Sequence, residues 1–139
     1  MDRQYYIDFL LDHYEHPRNK GPLENADVTV SGGNPGCGDV VTMHVKFKDD
    51  VLEKVRFEGS GCTISQAGAS IVAEHFEGRP ASEVEEMGFE EIVDTMGKEV
   101  VTSRVRCATV ALGTLKAAVQ EYRKQQLQTE PAGPGQSRS

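Results

Sequence analysis

From Val41 to Phe47 apolar side chains fall on alternate residues, whereas from Ile64 onward they recur every three or four. Val41, Met43, Val45 and Phe47 interleave with Thr42, His44, Lys46 and Lys48, the pattern of a strand with one buried and one wet face. After Cys62, Ile64, Ala67, Ile71, Val72 and Phe76 share one helix face. A chain that changes period once, strands first, is confined to a sheet with helices laid against it. The expected class is α+β, with a three-stranded antiparallel sheet, an N-terminal helix and several C-terminal helices packed on it. There is no internal repeat.

The remaining elements follow from local signals. Asp2 can cap a first helix carrying Tyr6, Phe9, Leu10, His13 and Tyr14. It must stop near His16-Pro17, because the residue before proline avoids the α region. Its aromatic stripe reads as core packing before it reads as a partner site. Val28 and Val30 mark a short strand over 27–31. After an Asp49-Asp50 turn, Val51, Val55 and Phe57 continue the inward face, with Leu52 as an exception, and Glu58-Gly59-Ser60-Gly61 breaks the strand. Gly78-Arg79-Pro80 stops the helix that follows Cys62. Ser82 to Glu85 has capping-box spacing for a short helix, and Phe89, Ile92, Val93 and Met96 predict another, closed by Gly97. Residues 98–106 read as a polar, β-branched connection. The last helix begins around Cys107 and carries Val110, Ala111, Thr114, Leu115, Ala118, Val119 and Tyr122. This gives one domain over residues 1–127 and a polar tail over 128–139 that is expected to be disordered.

With 139 residues the chain can bury one real core. A net charge of −7 with no clustered basic patch argues against nucleic acid as a partner. No apolar run approaches the ~20 residues of a membrane span, and no basic head with an apolar segment follows Met1. A cytoplasmic protein, with neither nucleic acid nor membrane as partner, is the default. Its three cysteines make an odd count, unlike a secreted disulfide framework, so the thiols should be free, catalytic or metal-bound.

Chemistry concentrates around Gly32-Gly33-Asn34-Pro35-Gly36-Cys37-Gly38-Asp39. Glycine permits positive φ and close approach of the backbone to a ligand, and proline stiffens the turn. A loop of this kind is expected to aim Cys37 and Asp39 outward. Cys62 and Cys107 both fall where a helix is predicted to begin, and free N–H groups there favour the thiolate, the form that binds metal. Taken singly, each cysteine can be a small buried hydrophobe and Asp39 a turn residue bonding its own backbone. Taken together, Cys37, Asp39, Cys62 and Cys107 are expected to converge on a metal. Three soft thiolates with one hard carboxylate suit Zn²⁺ or an iron–sulfur cluster, not Ca²⁺ or Mg²⁺. The cysteines are too widely spaced for a zinc finger, so the site needs the whole domain. A carboxylate among thiolates is also a replaceable ligand, as suits a site that accepts and releases its contents.

Four segments carry a resemblance: Asp12-His13-Tyr14-Glu15-His16-Pro17-Arg18-Asn19, Gly33 to Asp39, Gly59-Ser60-Gly61-Cys62-Thr63-Ile64-Ser65, and Arg104-Val105-Arg106-Cys107-Ala108-Thr109. In order and wording they resemble the signature segments of the IscU/SufU/NifU-N family, over about residues 3 to 125. That family comprises scaffolds for iron–sulfur cluster assembly, fed with sulfur by a cysteine desulfurase. The resemblance implies a transient [2Fe-2S] cluster or related cargo on Cys37, Asp39, Cys62 and Cys107. It also implies persulfide sulfur arriving on one of the cysteines, Cys107 above all, with Cys37 and Cys62 as further candidates. Finished clusters would pass to recipient apo-iron–sulfur proteins. IscU-like members usually carry histidine before the third cysteine, where this chain has Arg106, and a Leu-Pro-Pro-Val-Lys chaperone motif, where it has Val100 to Val105. The wording around Cys62 and Cys107 is more SufU-like, yet the step between them leaves no room for the SufU insertion.

Arg106, a fixed cation beside Cys107, would favour its thiolate and hold an incoming persulfide, unless it is simply a solvated loop-end arginine. His44 and His75 fall in no ligand loop. A carrier that is not an enzyme is therefore expected. The alternative is a zinc-dependent sulfur acceptor of the SufU type, with sulfurtransferase activity. A thiol hydrolase or oxidoreductase has no Cys-x-x-Cys motif to support it. A homo-oligomer is left open.

Overall fold

The structure, a computed structural model, describes residues 3–34 and 38–129. The expected caps and tails at Asp2 and 130–139, and Cys37, lie outside the described residues. Helix α1 (Arg3–Glu15) ends just before Pro17, as the proline requires. Three strands follow: β1 (Val28–Asn34), β2 (Asp39–Lys48) and β3 (Val51–Ser60). They form an antiparallel meander in the order β1-β2-β3. Asp49 and Asp50 both take positive φ, 54° and 65°, the two-residue hairpin geometry that suits the strand twist. Beyond the sheet come α2 (Thr63–Phe76), α3 (Ala81–Glu86), α4 (Phe89–Met96), α5 (Lys98–Val101), a 3₁₀ turn (Thr102–Arg104) and α6 (Val105–Thr129).

Val41, Met43, Val45 and Phe47 point inward as their spacing predicts, and all are buried. Helices α2 and α6 cover that face of the sheet and pack on each other, while α1 lies on α2 and α4 on α6. Phe57, Phe76, Met43, Leu52, Met96, Leu112 and Leu115 are fully buried between these layers. Each such side chain contributes roughly 1.5–3 kcal/mol relative to exposure. The far edge of β3 is closed by the chain after α1: Gly21 donates to the Phe57 carbonyl at 2.8 Å and Phe57 to the Asn19 carbonyl at 2.9 Å. On α1 itself Leu10 and His13 are buried, while Tyr5 and Tyr14 are exposed. No described helix is long and apolar enough to cross a membrane.

The structure corrects several local expectations. Leu52 is buried and is no exception to the inward face. The register slips between Lys46 and Phe47, where β3 carries one extra residue, Glu53. A bulge of this kind exchanges the two faces beyond it. Gly32, Gly33 and Asn34 extend β1 rather than opening a loop, Asp39 already belongs to β2, and β3 continues through Gly59 to Ser60. Residues 98–106 are helical, not an extended connection. Ser82 does not cap α3, whose N-cap is Pro80. The reach-back carboxylate is found instead on α4, where Gly88 N–H donates to Glu91 Oε2 at 3.0 Å. The last helix starts at Val105 and runs to Thr129, two residues past Leu127.

Candidate metal centre

Three segments meet at Asp39. The first residue of β2, it faces Asn34 across the β1–β2 pair and is only 1% exposed. The surrounding glycines therefore bury this carboxylate; they do not aim it outward. At Gly61, φ is +138° and a Cβ would collide with Asp39 Oδ1. At Gly33 a Cβ would lie 2.8 Å from the Asp39 carbonyl oxygen. The backbone can close on the carboxylate because nothing projects from these positions.

Cys62 follows Gly61 and is the N-cap of α2, in extended geometry at φ −76° and ψ 167°. Its N–H donates to Asp39 Oδ1 at 2.8 Å, and its half-buried sulfur lies 3.8 Å from Asp39 Oδ2. Cys107, 2% exposed, comes from the first turn of α6, and its thiol donates to Asp39 Oδ2 at 2.8 Å. One donor atom from each of Asp39, Cys62 and Cys107 lies within 4.8 Å of the others. A tetrahedral ion with thiolate bonds of about 2.3 Å needs its ligands roughly 3.8 Å apart. The three donors therefore suit a shared thiophilic ion or a small cluster after closing slightly.

Burial raises the Asp39 carboxyl, but hydrogen bonds from the Cys107 thiol, the Cys62 N–H, the Ser65 hydroxyl and the Cys62 thiol outweigh it. They hold Asp39 below its ordinary range. Cys107 moves the other way. Burial first, then its hydrogen bond to Asp39 and its closeness to Cys62, push its thiol up to about 12. The expected helix-terminus effect on Cys107 is overridden because α6 continues directly from helical residues: Thr102 and Val105 are both in the right-handed helical region. Its first turn offers no isolated N-terminus to the sulfur.

Arg106 is exposed. Arg104 is exposed as well, and its guanidinium is raised above its ordinary value, first by hydrogen bonding with Cys107 and then by the charges of Cys62 and Cys107. Sequence reasoning missed Arg104 because residues 98–106 read as a loop. Once they are helical, a residue three before Cys107 shares its helix side. Ser65 was missed as well. It sits one turn beyond Cys62, donates to the Cys62 carbonyl oxygen at 3.1 Å and helps to hold the Asp39 carboxyl low. His44 and His75 lie outside the centre, His44 between Thr29 and Glu58 on the open face of the sheet.

A three-stranded meander under helices brings two thiols and a carboxylate from three distant segments within reach of one ion. The chain belongs to the NifU-like N terminal domain family, whose profile matches residues 5–129. It is 33% identical over 129 residues to the iron–sulfur cluster assembly scaffold protein IscU of Aquifex aeolicus, covering 91% of this chain and 82% of that one. To the scaffold protein IscU of Escherichia coli K12 it is 32% identical over 122 residues, 85% of this chain and 94% of the other. Among solved structures it is similar to a candidate SUF-system cluster assembly scaffold from Fervidobacterium islandicum. That match has a TM-score of 0.69 at 27% identity and covers 86% of this chain and 99% of that one. The resemblance read from the four sequence segments holds.

Proposed function

We propose that the protein is a scaffold on which an iron–sulfur cluster is assembled and from which it is handed on. The observation that carries this reading is the meeting of Asp39, Cys62 and Cys107 within 4.8 Å, in a chain whose relatives are named as cluster assembly scaffolds. Cys62 and Cys107 supply thiolates to the iron of the cargo, with Cys37 as the expected fourth donor. Asp39 supplies a hard oxygen ligand. Its Oδ1 is engaged by the Cys62 N–H, which leaves Oδ2 to face the cargo. A carboxylate held at one oxygen among soft ligands is the ligand most readily exchanged, and this favours release.

Half-buried Cys62 opens the centre to solvent. Cys107 can accept sulfur only after its thiol leaves Asp39, and the Arg104 guanidinium beside it stabilises the anion that results. Sulfur comes from a cysteine desulfurase, and recipients are apo-iron–sulfur proteins of the cytoplasm.

The test is reconstitution without oxygen, using desulfurase, cysteine, ferrous iron and dithiothreitol, which supplies the remaining electrons that take persulfide sulfur to sulfide. The scaffold should turn brown, hold iron and acid-labile sulfide in equal amounts, and activate an apo-ferredoxin, with Cys62→Ala and Cys107→Ala colourless. A wild-type protein that stays colourless while retaining one zinc and still accelerating the desulfurase would overturn the scaffold reading in favour of a zinc-dependent sulfur acceptor.

A further inference from the structure

The two edges of the sheet are finished differently. Along β3 the backbone groups that face away from β2 are taken up. Leu52 N–H donates to the Arg79 carbonyl at 2.9 Å and Phe57 N–H to the Asn19 carbonyl at 2.9 Å. Between them Val55 N–H donates to Glu77 Oε2 at 3.1 Å, and its carbonyl accepts from Asn19 Nδ2 at 3.0 Å. Along β1, among the described residues, the only ladder is the one with β2, and no backbone bond leads outward from residues 28–34. An open edge strand is a template for another strand, and proteins usually blunt it with a charge, a proline or a bulge. β1 has none of these. Val-Thr-Val-Ser-Gly-Gly-Asn carries no charge and no proline, and its pairing with β2 runs unbroken from Val28↔Val45 to Asn34↔Asp39. In a chain with a net charge of −7, this is a stretch where two copies can approach without like charges meeting.

Helix α6 extends the uncharged strip above the strand. A Cβ on Gly32 would strike Thr114, so α6 rests directly on β1. Val110 and Ala117, four residues before Thr114 and three after it, share that flank of the helix. Both are half-buried, as is Val30 on the strand. A different flank of α6 is already engaged, with Lys116 Nζ donating to the Val84 carbonyl at 2.8 Å and Arg123 Nη2 to Glu85 Oε1 at 3.1 Å.

We propose that β1 pairs antiparallel with β1 of a second copy, about a two-fold axis perpendicular to the sheet. Such an axis keeps the helices of both copies on one side of a six-stranded sheet, so the Val110 and Ala117 flanks face each other above the junction. One open edge is what a closed pair uses. Each copy covers the edge of the other, and the occupied β3 edges stop further growth. On the opposite side of the sheet, exposed Thr29 and Ser31 come to stand across the junction from the partner's β1. The pairing is independent of what Asp39, Cys62 and Cys107 bind.

Sedimentation velocity on the full-length protein should show a concentration-dependent equilibrium between monomer and dimer. Chelator and reductant are kept present, so that neither a bridging ion nor a disulfide contributes. Amide exchange over residues 28–33 should slow as the dimer forms. The double variant Thr29→Lys, Ser31→Lys sets like charges across the junction and should raise the dimer dissociation constant about tenfold or more. Thr29→Glu, Ser31→Glu should do the same, and mixing the two variants should restore a dimer with one copy of each. That restoration also shows that both variants fold. A dimer that neither double variant weakens is built on another surface and overturns the proposal. A wild-type protein that stays monomeric up to about 1 mM overturns it as well. Slow exchange along β1 would then assign the edge to the chain's own residues 130–139, and fast exchange would leave it bare.

Discussion

Asp39 shows how one side chain can organise a centre through what surrounds it. Its Oδ1 is taken by a backbone N–H and its Oδ2 by a thiol. Gly61 stands where any Cβ would strike the carboxylate, so Gly61 and Asp39 are sterically one unit. The charge balance at the sulfurs is likewise set by a particular residue. A guanidinium stabilises a neighbouring thiolate, and the guanidinium whose own value Cys107 and Cys62 push up is that of Arg104. Replacing Arg104 with alanine should therefore move the pH profile of Cys107 alkylation further upward from a thiol already pushed to about 12, and slow the reaction at any fixed alkaline pH. Arg106→Ala should leave both unchanged. Iodoacetamide rates on the metal-free protein, with the modified cysteine located by mass spectrometry, check this. A shift in Arg106→Ala alone would reverse the assignment.

At the scale of elements, the bulge in β3 makes the sharpest claim. Because Glu53 is the extra residue, Leu52 is fully buried and Val51 only half-buried. Leu52→Ala should cost about 2–5 kcal/mol and Val51→Ala under about 1.5 kcal/mol, read from urea unfolding midpoints. Equal losses would mean that the strand has no slip. The sheet, α1, α2 and α4 were legible because period and breaker residues agree there: Val41 to Phe47 alternate, and Pro17 and Gly97 end their helices. The slip was not legible, since a bulge has no composition of its own and Leu52 simply looked misplaced. Residues 98–106 were misread for a related reason. Val100, Val101 and Val105 are β-branched and favour strands locally, yet Val101 is buried and packing holds the segment helical. That Asp39, Cys62 and Cys107 gather in one place was readable from residue type and glycine setting. The burial of Asp39 and the part played by Arg104 were not, because both depend on which segments meet.

For the molecule as a whole, those meetings couple the site to the fold. The donors come from the start of β2, the β3–α2 junction and the start of α6, and α2 and α6 are the helices that cover the sheet. An ion bound across them exists only in the folded chain, so its binding free energy adds to stability. At 100 times its dissociation constant, Zn²⁺ should add about 2.7 kcal/mol, or roughly 10 °C in thermal midpoint for a domain of this size. Chelator should abolish the gain, as should Cys107→Ala. The gain must also depend on pH in a fixed direction. Cys107 keeps its proton up to about 12, so the ion has to displace it, and lowering the pH strengthens the competitor. Each unit of pH below that point should weaken apparent zinc affinity about tenfold for one displaced proton. The zinc-induced rise in midpoint should therefore be larger at pH 8.5 than at pH 6.5. In the metal-free protein the same raised thiol acts oppositely: its contribution is complete below about 9 and is lost as pH climbs towards 12. Calorimetric scans with and without zinc across that range would show the two curves diverging as pH rises. A gain independent of pH would mean that the ion is held without the Cys107 sulfur.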